Sequence, residues 1–354
     1  MNDVLSLAPS EARAALGAWF TARREPAYRV NQILPRLWRH PVSGWDVATD
    51  LPVALRTALG QAFPLGRIAV ETRQVSLDGT EKFLWKLSDG ELIESVLIPE
   101  GKRRTLCISS QVGCALGCVF CATGRMGFRR HLSAAEIAGQ VRELVLIDPA
   151  KQPTNVVFMG MGEPLLNWEA VDVALSILNH PDGCGIGARH ITLSTVGILP
   201  NLAKFAARPE QFRLAWSLHA PTPALRRELM PIEKKYDLPQ VLAALQQFRR
   251  RVTLEYVLIG GRNDSLEAAE ALAGIAAPLG ALVNLLPLHP GGAPELAPSP
   301  RARMLEFQRR LKARGVAAVL RRSRGLDISA ACGQLRVEIQ ARRKVRPEEH
   351  AHVD

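Results

Sequence analysis

The chain has 354 residues and carries 45 Lys and Arg side chains against 34 Asp and Glu side chains, a formal net charge of +11. Hydrophobic residues make up 47% and charged residues 22% of the sequence, ordinary globular values that exclude a mainly disordered or collagen-like chain. The sequence contains no apolar run of about 18 residues, and its start lacks the pattern of a secretory signal, so we expect a cytoplasmic protein with no membrane partner.

Residues 1–65 predict a small helical module. Amphipathic periodicity indicates three helices in it, near Ser10–Thr21, Tyr28–Trp38 and Leu51–Ala62. Residues 66–102 predict a β-meander, because β-prone runs there are separated by Asp-Gly turn signals at 78–79 and 89–90. We expect this meander to connect the helical module to the main domain.

Residues 103–335 alternate short apolar runs with amphipathic segments of helix length, and they predict the main domain. The apolar runs are Thr105–Ser109, Asn155–Met159, His190–Ser194, Arg213–Leu218, Thr253–Ile259, Leu282–Leu286 and Val316–Leu320. The helical segments between them are Ala134–Ile147, Trp168–Leu178, Leu199–Ala206, Pro239–Arg250, Leu266–Pro278 and Arg301–Arg314. This alternation predicts the α/β class, with parallel strands and right-handed crossovers in either a barrel or an open doubly wound sheet.

Polar and special residues follow most of the apolar runs. In both architectures the carboxyl ends of the strands carry the functional residues. The residues at these positions are Cys114–Cys121, Gly160–Pro164, Ser194-Thr195, Ser217–His219, Gly260-Gly261 and Pro287–Pro290. We therefore expect these residues to form one site.

Three cysteines, Cys114, Cys118 and Cys121, are spaced as C-x3-C-x2-C in a loop that also contains glycines. In a cytosolic protein such a cluster indicates metal binding or catalysis rather than a disulfide framework. Buried structural cysteines and a three-cysteine zinc site are the alternatives, although zinc usually takes a second ligand pair that has no match here. A [4Fe–4S] cluster with one open iron fits the pattern best.

The motifs around these cysteines resemble a known family. The stretches SSQVGCALGCVFCATGRMGF, FMGMGEPLLN, SLHAPTPALRRELMPI and SAACGQL resemble the RlmN/Cfr family of radical S-adenosylmethionine (SAM) RNA methyltransferases, and AYRVNQI and LPVALR are similar to its RlmN branch. The resemblance implies a partial (β/α)6-type radical SAM barrel behind an RNA-binding-like N-terminal module. It also implies one [4Fe–4S] cluster per chain, held by Cys114, Cys118 and Cys121, whose open iron binds SAM.

The resemblance further implies three catalytic residues. Cys332 matches the family's methyl carrier, Cys107 matches the thiol that forms a transient disulfide with it, and Glu94 matches the proton acceptor. One SAM molecule would methylate Cys332, and a second would activate that methyl group for transfer to the base. Taken without the family, Cys107 is a core residue, Glu94 a half-exposed strand carboxylate and Cys332 a buried structural thiol.

The same resemblance implies the SAM-contacting residues, which are Gly162, Glu163, Ser194, Ser217, Leu218, His219 and His289. Glu163 would meet the ammonium group of SAM. His289 stands where the family usually has an asparagine, and a histidine can donate a similar hydrogen bond. Without the motif, His219 is interpreted as a core histidine. Cys184 has no role that the resemblance assigns.

The implied function is methylation of adenosine in 23S rRNA, at ring carbon 2, with tRNA as a second substrate. The positive charge suits a polyanion, since the last 54 residues carry 14 basic and six acidic side chains, and residues 336–354 predict a basic tail. The other implied partner is an electron donor such as flavodoxin or ferredoxin, with the chain acting as a monomer.

Three alternative functions stay open. The first is methylation at carbon 8, as in the Cfr branch. The second is a zinc-binding RNA-associated protein without catalysis, and the third is a radical SAM enzyme acting on a protein or small metabolite. Both of the latter leave Cys332 unexplained.

Overall fold

The computed structural model describes residues 3–248, 250–289, 293–331 and 333–335. At the N-terminus it has four α-helices, which are α1 (Pro9–Ala22), α2 (Tyr28–Ile33), α3 (Pro35–Trp38) and α4 (Val53–Ala62). The helical segment predicted near Tyr28–Trp38 is present as two helices, α2 and α3, because Pro35 has no amide hydrogen to continue the ladder and the segment divides there.

The helical module is fastened to the main domain by a buried arginine. Arg142 donates hydrogen bonds from Nε to the carbonyl of Leu37 at 3.0 Å and from Nη2 to the carbonyl of Val42 at 2.6 Å. Its guanidinium also pairs with Glu143 at 2.9 Å. Since an unpaired buried charge is costly, this network fixes the module against the helix that carries Arg142.

The main sheet has ten strands within the described residues. In chain order the strands of the molecule are β1 (Ala69–Val75), β2 (Glu81–Lys86), β3 (Leu92–Glu100), β4 (Arg103–Cys107), β5 (Gln111–Gly113), β6 (Phe128–His131), β7 (Asn155–Phe158), β8 (Ile191–Thr195), β9 (Arg213–Ser217), β10 (Val252–Leu258), β11 (Leu282–Pro287) and β12 (Ala317–Leu320). The sheet order is β1-β2-β3-β4-β7-β8-β9-β10-β11-β12, antiparallel as far as β4 and parallel from β4 onward.

Helices connect the parallel strands and confirm the predicted α/β class. They are α5 (Ala122–Arg125), α6 (Ala134–Ile147), α7 (Trp168–Asn179), α8 (Leu199–Ala207), α9 (Pro223–Leu229), α10 (Leu238–Gln246), α11 (Leu266–Ala276) and α12 (Arg301–Ala313). Ser133 and Glu136 form a capping box at the start of α6, where each side chain accepts from the other's backbone amide.

The predicted meander is continuous with the parallel sheet. Its last strand, β3, pairs with β4 in antiparallel register, so that Val96 lies opposite Cys107. Both predicted turns are present, with Gly79 and Gly90 in the left-handed region at φ +83° and +85°. Strands β5 and β6 form a second, two-stranded sheet on either side of residues 114–127, which carry Cys114, Cys118 and Cys121 and are called the cysteine loop. These two strands correspond to none of the predicted apolar runs.

The register places a row of side chains on one face of the sheet. Lys82, Val96, Cys107 and Val157 lie opposite one another across β2, β3, β4 and β7. Glu94 is two residues from Val96 on β3, so it shares that face. We call this side of the sheet the inner face.

Parallel pairing carries the inner face to the later strands. Thr192 lies opposite Val157, and Ser194 follows two residues later on the same face. Ser194 is opposite Ala215, which brings Ser217 to this face in the same way. The other side of these strands is apolar and packs into the core, as with Leu193, Leu214 and Trp216, which are buried.

Candidate active site

The cysteine loop lies between β5 and β6, at the carboxyl end of β4. The residue immediately before the loop, Gly113, must be glycine. Its φ is +74°, and a Cβ there would lie 1.9 Å from the carbonyl oxygen of Gly127. The amide of Cys114 donates to that same carbonyl at 3.0 Å. Within the loop the amide of Cys121 donates to the carbonyl of Cys118 at 3.1 Å. These contacts fold the loop tightly around its three thiols.

The three thiols suit a metal cluster. Cys114 and Cys118 are each 8% exposed, whereas Cys121 is partly exposed. Burial raises the pKa of Cys114 to about 12, and burial raises that of Cys118 as well. A charge on Cys121 adds to the upward shift of both, so the thiols lie within electrostatic reach of one another. Buried thiols of this kind need bound cations to become thiolate ligands.

Among the described residues, no three His, Cys, Asp or Glu side chains converge closely enough to hold one ion. A [4Fe–4S] cluster is larger than one ion, so its three ligands stand further apart. The donor set of three cysteines on one glycine-containing loop fits such a cluster.

The end of β7 approaches the cysteine loop through Gly162 and Glu163. Gly162 has φ +98°, and a Cβ there would lie 2.5 Å from the Cβ of Gln111, so only glycine fits. Gln111 then accepts the amide hydrogen of Glu163 through Oε1 at 2.8 Å. The Nε2 of Gln111 lies 3.0 Å from Nδ1 of His131. Gln111 thus couples β5, β6 and the end of β7.

The carboxylate of Glu163 is buried between two strand ends. Its Oε1 accepts the amide hydrogen of Leu165, and its Oε2 accepts that of Val196, both at 3.0 Å. Burial raises the pKa of Glu163 to about 7, although these hydrogen bonds and one from Thr195 act in the opposite direction. A bound cationic ligand would therefore offset the free-energy cost of burying the charged Glu163 carboxylate.

Ser194 and Ser217 meet on the inner face. Their hydroxyl oxygens lie 3.4 Å apart on the adjacent strands β8 and β9. Ser217 lies opposite Glu255 on β10, which in turn lies opposite Asn284 on β11. The amide of Asn284 donates to Oε1 of Glu255 at 2.9 Å. These polar side chains form a row across the inner face, whereas the opposite face of the same strands is apolar.

His219 follows Ser217 and Leu218 in a constrained position. Its φ is +55°, and its Nδ1 accepts the amide hydrogen of Val257 at 3.0 Å. Burial lowers the pKa of His219 to about 3, so the ring is neutral and carries its hydrogen on Nε2. The ring meets Phe120 of the cysteine loop edge to face, with centroids 4.8 Å apart. The histidine is buried, and its ring borders the cysteine loop.

Leu218 and His289 complete the set of residues implied to contact SAM. Leu218 is buried, and its amide donates to the carbonyl of Glu255 at 3.1 Å. His289 follows β11 and is half-buried, with its Nε2 2.5 Å from Oγ of Ser323 beyond β12. Burial lowers the pKa of His289. The other ring nitrogen, Nδ1, takes no part in this contact.

Glu94 and Cys107 lie on the inner face of β3 and β4. Glu94 is fully buried, which differs from the half-exposed carboxylate that the strand pattern suggests. Ser109 holds this region together, because its hydroxyl donates to the carbonyl of Glu94 at 2.6 Å and accepts the amide hydrogen of Met161 at 2.9 Å. The backbone of Ser109 is bound by Gln140 of α6 at 2.9 Å through both amide and carbonyl.

Cys332 lies outside the described residues, but the loop that contains it, residues 325–335, is described on both sides. Ser76 donates its hydroxyl to Oδ1 of Asp327 at 2.6 Å, and the amide of Gly325 donates to Oδ2 of Asp78 at 3.1 Å. On the far side, the carbonyl of Gly333 accepts the amide hydrogen of Ala122 at 2.8 Å, beside the cysteine loop. The 325–335 loop therefore spans from the β1–β2 turn to the cysteine loop.

Several site residues escaped the sequence analysis. Gln111, Lys82 and Glu255 are polar residues buried inside strands. A pattern of apolar runs predicts the strands but does not single out polar residues within them. The available signal is their residue type, since Lys and Glu are rarely buried without a partner. The structure also shows Cys184 buried, with its carbonyl oxygen 3.4 Å from Nη1 of Arg39.

The five cysteines within the described ranges are Cys107, Cys114, Cys118, Cys121 and Cys184, and no disulfide joins any two of them. A lasting disulfide between described cysteines is therefore absent, and the transient pairing with Cys332 falls on a residue outside them. Among the helices of the described residues, none combines the length and apolar character needed to span a membrane. The predicted tail, residues 336–354, also lies outside the described residues.

Comparison with known proteins supplies the family. The profile of the Radical SAM superfamily matches residues 108–273. The chain is 56% identical over 354 residues to a probable dual-specificity RNA methyltransferase RlmN of Gemmatimonas aurantiaca, covering 100% of this chain and 98% of that protein. It is 47% identical over 326 residues to the dual-specificity RNA methyltransferase RlmN of an Anaeromyxobacter species, covering 89% of this chain and 86% of the relative.

A solved structure agrees with these relatives. The crystal structure of a radical SAM methyltransferase from Sphaerobacter thermophilus superposes with a TM-score of 0.86 at 42% sequence identity, covering 92% of this chain and 97% of that chain. The resemblance inferred from the sequence and the radical SAM fold that it implies are thus confirmed. The chain belongs to the RlmN family of radical SAM RNA methyltransferases.

Proposed function

We propose that the protein methylates adenosine at carbon 2 of the base, in 23S rRNA and in tRNA, through a methylated Cys332. The relatives named above are dual-specificity RNA methyltransferases, which supports two RNA substrates. The basic excess of the chain supports a polyanionic substrate. We place the protein in the cytoplasm, as a monomer that takes its electrons from a flavodoxin or ferredoxin.

The cofactors in this proposal are a [4Fe–4S] cluster on Cys114, Cys118 and Cys121, and SAM. When bound, they supply the methyl group and the radical that activates it. Glu163 offers a buried carboxylate to the SAM ammonium group. The other proposed SAM contacts come from the strand ends that surround the cysteine loop, which are Gly162, Ser194, Ser217, Leu218, His219 and His289.

The catalytic groups have separate tasks in this proposal. Cys332 carries the methyl group. Glu94 accepts the proton that leaves the ring carbon. Cys107 attacks the sulfur of Cys332, so that an S–S bond forms while the bond from that sulfur to the methylene carbon breaks. The carbon keeps the electron pair and takes up a proton, which gives the methyl group of the released base. A reductant then returns both thiols.

One observation carries the proposal. The register puts Glu94 and Cys107 on the inner face of neighbouring strands, while the loop that contains Cys332 docks on the turn before β2 and on the helix after the cysteine loop. An ordinary core cysteine and an ordinary strand carboxylate have no reason to share a face with that loop. The arrangement supports a proton acceptor and a thiol serving one carrier.

The test is nucleoside mass spectrometry of rRNA and tRNA after incubation with the anaerobically reconstituted enzyme, SAM and a reductant. We expect 2-methyladenosine from both RNAs, and none from Cys332→Ala. Cys184→Ala is the matched control, since Cys184 is a buried thiol in the segment before β8, at the opposite end of that strand from the site. Formation of 8-methyladenosine instead would reject carbon 2, and absence of any methyladenosine would reject the function.

A further inference from the structure

Lys82 is a buried lysine in the middle of the sheet. It lies on β2 and is only 3% exposed. Its Nζ lies 3.8 Å from Oε1 of Glu94, which is itself 0% exposed. Lysine is almost never buried to this extent unless it has a partner. The pair therefore calls for an explanation beyond packing.

The ammonium group of Lys82 has a second contact, in the 325–335 loop. Its Nζ donates a hydrogen bond to the carbonyl oxygen of Ser329 at 3.3 Å. Ser329 has φ +50°, an uncommon conformation for a residue with a side chain, and it precedes Cys332 by three positions. One ammonium group thus contacts both the carboxylate of Glu94 and the loop that contains the proposed carrier.

The register shows what surrounds this pair. Lys82 lies opposite Val96, and Val96 lies opposite Cys107. Glu94 is the diagonal neighbour of both Lys82 and Cys107 on the inner face. Lys82 is therefore held on the same surface as the two catalytic groups, on the strand next to that of Glu94 and two strands from that of Cys107.

From these contacts we propose that Lys82 is a positioning residue that keeps the Glu94 carboxylate ionised and aligned with the 325–335 loop for proton abstraction. The inference rests on the proposed function. A carboxyl group without exposure to water favours its neutral form, and a neutral carboxyl group cannot accept a proton. The adjacent ammonium group stabilises the carboxylate.

The proton step itself balances without any further reactant. The C–H bond of the ring carbon breaks, its electron pair stays with the ring, and an O–H bond forms on Glu94. Lys82 keeps its own hydrogens throughout. This role predicts a specific defect, because methylation of Cys332 comes before the proton step and does not need Glu94.

The test separates these two stages. Lys82→Met removes the charge and keeps the length of the side chain, and Lys82→Arg keeps the charge. Lys86→Met is the matched control, since Lys86 lies on the same strand and the same face but is exposed. Three quantities are measured: methylation of Cys332 by peptide mass spectrometry, the fraction of protein crosslinked to RNA, and methyladenosine formation.

For Lys82→Met we expect normal methylation of Cys332, accumulation of crosslinked protein, and a loss of methyladenosine formation of about tenfold or more, since a positioned general base typically contributes about 10²–10⁴-fold. Lys82→Arg should recover much of the product, and Lys86→Met should match the unmodified protein. Circular dichroism and iron content of each variant report whether it folds.

Two results would overturn the inference alone. One is normal methyladenosine formation by Lys82→Met. The other is equal loss of Cys332 methylation and of product in a folded variant, which would reduce Lys82 to a structural support of the loop. If the unmodified protein forms no methyladenosine, the proposed function fails and this inference fails with it.

Discussion

Asp327 accepts a hydrogen bond from the hydroxyl of Ser76 at 2.6 Å, across 251 positions of the chain. Its other oxygen accepts the amide hydrogen of Leu77 at 3.1 Å. Asp78 of the same turn accepts the amide hydrogen of Gly325. The turn between β1 and β2 therefore binds the 325–335 loop and serves as its docking site. From the sequence this turn is predicted only to connect two strands.

The first prediction concerns this dock. Asp327→Ala removes two hydrogen bonds to the turn, so we expect a several-fold slower formation of methyladenosine with little change in thermal stability. Glu228→Gln is the control, because Glu228 is an exposed carboxylate in a long contact of 3.9 Å with Arg262. An unchanged rate in Asp327→Ala would show that the dock is dispensable.

The second prediction concerns the cysteine loop. Cys114→Ser should lower the iron content after anaerobic reconstitution from about four per chain to a small residue, because two cysteines hold a [4Fe–4S] cluster poorly. The brown colour and its absorbance should fall in parallel. Cys184→Ser should keep full iron content. Equal iron in both variants, or one zinc in the unmodified protein, would contradict the assignment.

The third prediction is a pH dependence of the stability of the apoprotein. Because the folded pKa of Glu163 is raised from 4.5 to about 7, its contribution to stability is fully present below about pH 4.5 and is lost as the pH rises through 7. We expect this residue to make the apoprotein about 2–3 kcal/mol less stable at pH 8 than at pH 5.

Urea unfolding of the apoprotein at both pH values measures this difference. Glu163→Gln has no carboxyl group there, so its pH dependence should be smaller by that amount. Glu228→Gln should behave like the unmodified protein. The same pH dependence in Glu163→Gln and in the unmodified protein would contradict the buried, proton-binding state of Glu163.

The fourth prediction concerns a buried ion pair that supports the strand ends. Arg226 and Glu233 pair with both side chains fully buried, and Arg226 also donates to the carbonyl of Val196 at 2.8 Å. Removing one partner of such a pair leaves an uncompensated charge, so Glu233→Gln should cost about 3–5 kcal/mol of unfolding free energy. A loss below about 1 kcal/mol, the scale of an exposed pair, would contradict this role.

The parallel half of the fold follows closely from the sequence. Each of the seven predicted apolar runs overlaps one parallel strand, because strands buried in an α/β domain are rich in apolar residues. The segment Ala134–Ile147 is confirmed to the residue, since Ser133 and Glu136 give a clear local start. These features depend on local chemistry, which a sequence displays directly.

Other features depend on contacts between distant residues, and these escaped prediction. The short strands β5 and β6 are only three and four residues long and exist because they bracket the cysteine loop. The division of the helical segment at Pro35 is instead a local effect, which the periodicity alone does not show. Gln111 and Lys82 owe their roles to partners 20 and 12 positions away in sequence, namely His131 and Glu94.

The candidate site was predictable mainly because motif residues and strand ends coincide. The three cysteines, Gly162 with Glu163, and the two serines were all expected at strand carboxyl ends. The pairing of Glu94 with Cys107 on one face required the register of β3 and β4, which no single-sequence pattern shows.

The central claim is that Cys332 carries the methyl group to adenosine. The most direct measurement is mass spectrometry of the Cys332 peptide and of the RNA nucleosides, after a single turnover with SAM that carries a deuterated methyl group. The account predicts a labelled methyl group on Cys332 first, and then labelled 2-methyladenosine in the RNA. Labelled methyladenosine formed by Cys332→Ala, or formed while Cys332 stays unlabelled at every time point, would contradict it.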